Sequence, residues 1–152
     1  MPRPSAVLIS GVDAAALIAR RGVRATRARI DALTVLLAAH EALTHHDIEA
    51  RLRRGDDIDR VTLYRVLEWL VDQGLAHKLA GDDRVWRFSA GGQGEPGSGN
   101  RPGHAHAHFR CSACGKVVCL DDAKLPAIPL PDGFHGREVE VTIKGSCDEC
   151  AR

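Results

Sequence analysis

The residues best suited to chemistry lie near the C-terminal end of the chain, in two CxxC pairs: Cys111-Ser-Ala-Cys114 and Cys147-Asp-Glu-Cys150. Two residues between thiolates let a tight turn aim both sulfurs at one ion. Two such turns complete a tetrahedral four-sulfur site, for which structural zinc is the expected occupant. The 32 residues separating the pairs require intervening chain to carry the second back to the first, which a strand pair can do. Disulfides would use the same residues. However, the N-terminal apolar stretch Val7-Leu8-Ile9, interrupted at Gly11 and Asp13, is too short for an export signal, so a cytoplasmic address and reduced thiols are expected. Neither pair is flanked by the strand-then-helix pattern of a thioredoxin-like redox motif.

A second group of donors adjoins the first pair. His104, His106 and His108 alternate with alanine before Phe109-Arg110-Cys111, and in a strand every second side chain points to the same face. Adjacent members would be about 7 Å apart at Cα, so two of the three can share an ion. If the turn at residues 111–114 folds the chain into a hairpin, the fifth cysteine, Cys119, falls roughly opposite His106 and His108. An unpaired thiol beside two imidazoles is what a second zinc site needs. A histidine-rich loop end beside a buried free cysteine is the plainer reading of the same residues.

The chain that must position these groups is 152 residues long, 44% hydrophobic and 27% charged, with a net charge of +1. That excludes a large multidomain enzyme, and no apolar run approaches the roughly 20 residues that span a bilayer. A zinc hydrolase would need an open metal position with a carboxylate base beside it, and no HExxH or similar arrangement is present. The chain therefore reads as a non-enzyme with no small-molecule substrate. Charge is informative only locally: Ala14 to Ile30 holds five arginines, Arg20, Arg21, Arg24, Arg27 and Arg29, and no acid. Such a run suits phosphates, and a solvated helix surface would carry the same residues.

The N-terminal part is patterned for short helices. Val12 to Arg21 reads as helical. Thr26 is placed to cap a second helix with Ile30, Leu33, Leu36 and Leu37 on one face. Thr44 and Asp47 resemble a capping box opening a third helix towards Arg53, followed by a turn at Gly55-Asp56-Asp57. Asp59 caps a fourth helix, with Leu63, Val66, Leu67 and Leu70 as its buried stripe and Gly74 as its stop. Val61, Tyr64, Arg65 and Glu68 occupy the opposite face. Ala76–Leu79 and Val85–Phe88, joined through Gly81-Asp82-Asp83, read as a hairpin. This is the order of a winged helix-turn-helix, whose last helix enters the major groove. An arginine beside a tyrosine on that helix suits guanine and a thymine methyl group. A generic helical domain, or a zinc-stapled module binding another protein, would share the pattern.

Residues 89–103 hold six glycines and two prolines, too little apolar content to order themselves. The expected organisation is a winged-helix domain over 1–90, a flexible linker over 91–103, and a dimerisation and zinc-binding domain over 104–152. The last is only 49 residues, a size that ordinarily needs a metal, disulfides or a partner subunit. Within it Val139, Val141 and Ile143 alternate with polar residues, the period of a half-buried strand leading into Cys147.

Several segments in order resemble the ferric uptake regulator family. They are Val61-Thr62-Leu63-Tyr64-Arg65-Val66-Leu67, Gly74-Leu75-Ala76-His77, the histidine strand running into CxxCG at Cys111 to Gly115, and Gly145-Ser146-Cys147-Asp148-Glu149-Cys150. The likeness runs from about Arg24 to the C-terminus. It implies an α+β fold in which a winged helix precedes a small α/β dimerisation domain with a four-cysteine zinc site, in a homodimer that binds a double-stranded DNA operator. Tyr64 and Arg65 would then touch bases, with Thr62, Arg60, Arg24 and Arg27 beside them, and Cys111, Cys114, Cys147 and Cys150 would hold structural zinc.

The resemblance also implies at least one regulatory ion per subunit, and the departures from the family pattern bear on its identity. Iron and peroxide sensors of the family usually carry His-His-Asp-His before the first CxxC and a carboxylate five residues beyond it. This chain has Ala105 and Ala107 in that run and Cys119 where the carboxylate would be. Thiolate and imidazole favour zinc over iron(II). Val139 and the two alanines also remove ligands of the family's additional dimerisation-domain site. His77 matches a wing ligand of zinc-sensing members, while Trp86-Arg87-Phe88 supply no counterpart to the other. The expected regulatory set is His77, His106, His108 and Cys119, with His104 as a further candidate. The expected function is zinc-responsive repression of zinc uptake and homeostasis genes, with iron or peroxide sensing as the alternative.

Overall fold

The computed structural model describes residues 11–52, 58–90, 105–120, 127–136 and 139–152. The expected turn at 55–57, the linker and His104 lie outside the described residues. Four helices come first: α1 (Gly11–Ala19), α2 (Arg27–Ala38), α3 (His45–Leu52) and α4 (Arg60–Asp72). A two-residue strand, β1 (Leu43–Thr44), precedes α3. The hairpin strands β2 (Ala76–Ala80) and β3 (Trp86–Ala90) follow α4. The C-terminal part contributes β4 (Ala105–Cys111), β5 (Val117–Cys119) and β6 (Val139–Gly145). All helices among the described residues thus belong to the N-terminal part, and none is long and apolar enough to cross a membrane.

Local chemistry sets the helix ends. Thr44 and Asp47 close the capping box reciprocally: the Asp47 amide donates to Thr44 Oγ1 at 3.1 Å and the Thr44 amide to Asp47 Oδ2 at 3.0 Å. Asp59 Oδ1 accepts from the Thr62 amide at 3.0 Å and starts α4. The stop is a Schellman arrangement. Gly74 takes φ +68°, its amide donates to the Val71 carbonyl, and the Leu75 amide donates to the Leu70 carbonyl. Thr26 stands at the N-cap of α2 in extended conformation, but its side chain makes no capping bond.

Leu63, Val66, Leu67 and Leu70 turn inward, as their spacing predicts, and pack with Ile18, Leu33, Leu36, Leu43, Ile48 and Phe88 in one core. Phe88 sits in the middle strand of an antiparallel sheet ordered β1-β3-β2, facing Leu43 on one side and Lys78 on the other. β1, too short for a sequence signal, converts the expected hairpin into this three-stranded wing. The second sheet is ordered β5-β4-β6, with β4/β5 antiparallel and β4/β6 parallel.

The two sheets touch directly. The Ala42 amide donates to the Val117 carbonyl at 2.8 Å, and Ala42, Leu79 and Val117 are buried together with Cys119 packed against them. In the wing turn, Asp82 bridges to Arg110 at 3.1 Å and to Lys144 at 3.0 Å, spanning neighbouring strands of the second sheet.

Candidate metal centres and nucleic-acid interface

The parallel pairing of β4 and β6 brings the two CxxC motifs together, because Cys111 and Gly145, the last residues of each strand, are register partners. The amide of Ser112 donates to the Gly145 carbonyl at 2.7 Å, so both knuckles leave the sheet from one point. Gly115, at φ +75°, closes the first knuckle in a conformation that favours glycine. Lys116 pairs with Glu149 at 3.1 Å and ties the first knuckle to the second.

The four sulfurs of Cys111, Cys114, Cys147 and Cys150 lie within 4.8 Å of one another. Zn–S bonds of about 2.3 Å in a regular tetrahedron give edges of about 3.8 Å. Cys114 Sγ and Cys147 Sγ are separated by 3.8 Å, far longer than a disulfide bond. The electrostatics call for a cation as well. The amides of Cys114 and Cys147 hold the Cys111 thiol down at about 6, whereas the neighbouring sulfurs of Cys147, Cys114 and Cys111 push Cys150 up to about 12. Four thiolates cannot coexist at this spacing without a multivalent positive charge between them. Geometry and donor chemistry both fit zinc.

The other expected donors are distributed over β4, β5 and the wing, and among the described residues the cluster that gathers three or more metal-ligating side chains is that of the four cysteines. His108 is buried and is the register partner of Cys119 across the antiparallel pair. Side chains directly opposite in such a pair have Cβ atoms about 4.5–5.5 Å apart, close enough for an imidazole and a thiolate to reach one ion. On the other side of β4, His106 is the register partner of Glu140 on β6. His77 pairs with Ser89 in the wing. It lies two residues before Leu79, hence on the same face of β2, and Leu79 belongs to the buried group against which Cys119 packs.

The exposed face of α4 carries Val61, Tyr64, Arg65 and Glu68, as its periodicity predicts, with Arg60 exposed at its start. Thr62 is committed to the cap: its hydroxyl hydrogen-bonds Asp59, which holds the Asp59 carboxyl below the usual range. Glu68 is tied to Lys78 of the wing. The arginine run is only partly available to a polyanion. Arg24 is exposed, but Arg27 pairs with Asp31 at 2.7 Å. Arg29 lies 3.7 Å over the Trp69 ring and donates to the Arg24 carbonyl.

Sequence reasoning missed two features. His45 is buried beneath Tyr64. No pattern signals it, since a polar residue just inside a helix start is ordinarily exposed. The contact of Asp82 with Arg110 and Lys144 is equally silent, because it joins segments far apart in the chain.

The model of the ferric uptake regulator family matches residues 20–130 of this chain. The zinc uptake regulation protein of Mycobacterium tuberculosis is 28% identical over 136 residues, covering 85% of this chain and 95% of that protein. The ferric uptake regulation protein of Synechococcus elongatus is 28% identical over 141 residues, covering 87% and 88% respectively. Among solved structures, a zinc uptake regulator complexed with zinc and DNA superposes with a TM-score of 0.62 at 22% identity, covering 93% of this chain and 92% of that one, which shows a common fold.

Proposed function

The chain belongs to the ferric uptake regulator family of metal-responsive transcriptional regulators, and from that premise we propose that it is a zinc-responsive repressor of zinc uptake and homeostasis genes. One observation carries the choice of metal: the register partner of buried His108 is a cysteine. Sulfur and nitrogen donors favour zinc, whereas a carboxylate at that position would suit iron(II) or manganese. The regulatory set we assign is His77, His106, His108 and Cys119, with His104 as a further candidate. The four-cysteine cluster is the separate structural zinc site.

In this reading the wing belongs to the DNA-binding half, and His108 and Cys119 to the half that dimerises. Zinc supplies a coordinate link between them, fixing the angle at which α4 is presented. Tyr64 and Arg65 on the open face of α4 read bases, while Arg60 and Arg24 meet phosphates and Thr62 holds the start of the helix. A homodimer is supported by β6, an edge strand with Val139 and Ile143 exposed, and by the exposure of Ile128, Leu130 and Phe134. Two copies of α4 must meet half-sites about one helical turn apart, or a multiple of it, so the hinge angle decides whether both dock.

The test is operator binding by protein that keeps its cysteine-held zinc, titrated with zinc, iron(II) and manganese. Zinc is expected to tighten binding about 5- to 150-fold, the usual range of allosteric coupling. Iron(II) acting at lower free concentration than zinc would establish the alternative, and indifference to every metal would leave a zinc-stapled DNA or protein binder with no sensor.

A further inference from the structure

The buried side of Tyr64 is occupied by a residue that no DNA-contact motif includes. His45, the first residue of α3, is only 6% exposed, and its ring stacks on Tyr64 with centroids 3.8 Å apart and planes 19° from parallel. No hydrogen bond of ordinary geometry reaches either imidazole nitrogen, although the Arg60 backbone lies close enough to favour the protonated ring. A histidine buried without such a bond adds nothing to the core that an apolar side chain would not supply at lower cost. What the imidazole does supply is a flat face against the one aromatic ring on the exposed side of α4. Burial also lowers its pKa below the ordinary value, against the Arg60 backbone and the Glu49 charge, which act to raise it.

Tyr64 is 44% exposed, the fifth residue of α4, with its open side toward the solvent face shared by Val61 and Arg65. An unsupported tyrosine there would sample several rotamers and lose that freedom on meeting a base. Holding it in one orientation beforehand removes the loss from the binding step.

We propose that His45 is a positioning residue for sequence reading: its ring fixes Tyr64 in the orientation that meets a base, so base selectivity in this chain depends on a side chain of α3 that itself touches no DNA. The proposal rests on the reading of Tyr64 as a base contact.

The experiment uses full-length, zinc-loaded protein and the duplex it enriches from a random-sequence pool, compared with an unselected duplex of the same length. His45→Ala is expected to weaken binding to the enriched duplex about 3- to 10-fold, the range of one aromatic pair, and to leave the unselected duplex within about twofold. His45→Phe, which keeps a stacking face and discards the nitrogens, restores selectivity. In a Tyr64→Ala background the His45→Ala change has no further effect, because the side chain through which it acts is gone. Urea unfolding and zinc content of each variant report folding separately.

Three results overturn the inference alone: selectivity unchanged in His45→Ala, equal losses on both duplexes, or the same loss with and without Tyr64. Failure of the wild-type protein to enrich any sequence overturns the DNA reading itself.

Discussion

Cys119 is the register partner of His108 across the β4/β5 pair, with the imidazole buried and the thiol half-buried against the cluster of Ala42, Leu79 and Val117. The pairing puts a soft donor one strand away from an imidazole, at the seam where the two sheets meet. Substituting the donor atom therefore tests metal choice without touching the four-cysteine cluster.

Cys119→Asp is expected to lower zinc affinity at the regulatory site by at least about tenfold and to raise the relative response to iron(II) or manganese, since oxygen replaces sulfur among the ligands. Zinc retained per subunit after extensive dialysis should stay at the one ion of the cysteine cluster. Metal-dependent DNA binding, followed by fluorescence anisotropy with each ion, checks the expectation. An unaltered order of metals removes Cys119 from the sensor.

The four-cysteine cluster has a different role. It fastens the ends of β4 and β6, strands whose pairing has little apolar burial beyond Ala107, Cys111, Val117 and Cys147. Structural zinc sites contribute about 10–16 kcal/mol of apparent binding energy in small zinc-dependent folds, more than a sheet of this size obtains from packing. Cys147→Ser is expected to lose that zinc and to abolish amide protection across Phe109–Cys111. The helix amides of Leu63–Leu70, which rest on the separate N-terminal core, remain protected. Hydrogen exchange with residue resolution distinguishes this from global unfolding, and protected β4 amides in the variant would show that the sheet stands without its metal.

The parts that could be read from the sequence are those whose cause is local. Asp59, Gly74 and the pair Thr44 and Asp47 act within one helical turn, and each end forms as expected. The stripe on α4 needs only its own period, and the CxxC spacing needs only its own turns. Periodicity placed Tyr64 and the alternating histidines each on one face, and the family likeness added the roles expected of them. What could not be read depends on partners far along the chain. Two-residue β1 exists because β3 offers it a ladder, and β6 runs parallel to β4 because the second knuckle must return to the first. Thr26 stands at the expected cap without forming the expected bond, and Arg29 lies over the Trp69 ring. His45 is the sharpest case: its burial is decided by where α4 crosses α3.

Asp82 holds the wing turn to the second sheet through Lys144 and Arg110, and the hydrogen bond from Lys144, with the charge of Arg110, draws its carboxyl below the usual range. A depressed folded-state pKa gives a contribution that is fully present above the ordinary carboxylate range and is lost as pH falls through the lowered value. The contact is therefore expected to persist at neutral pH and to open only in acid, weakening with salt because Asp82 is largely exposed. Asp82→Asn should reproduce the open state at neutral pH. The Ala42 amide, bonded to the Val117 carbonyl across the same seam, is the reporter: its hydrogen exchange should quicken in the variant while that of Leu67 does not. Equal exchange at Ala42 in both proteins would mean that the apolar contact of Leu79 with Val117 suffices.

Arg65 and Arg60 stand on the exposed side of α4, one beside Tyr64 and the other at the helix start, and the two arginines are expected to fail differently. A guanidinium meeting guanine contributes to discrimination, whereas one meeting phosphate strengthens every duplex alike. Arg65→Ala is expected to cost about 1–3 kcal/mol on the selected duplex, to leave the unselected duplex nearly unchanged, and to relax preference at one base position. Arg60→Ala should weaken both duplexes equally and reduce the slope of log affinity against log salt by about one. Binding curves at several salt concentrations separate the two behaviours. If Arg65→Ala also lowers the salt slope and spares selectivity, Arg65 is a backbone contact and Tyr64 carries the base reading without it.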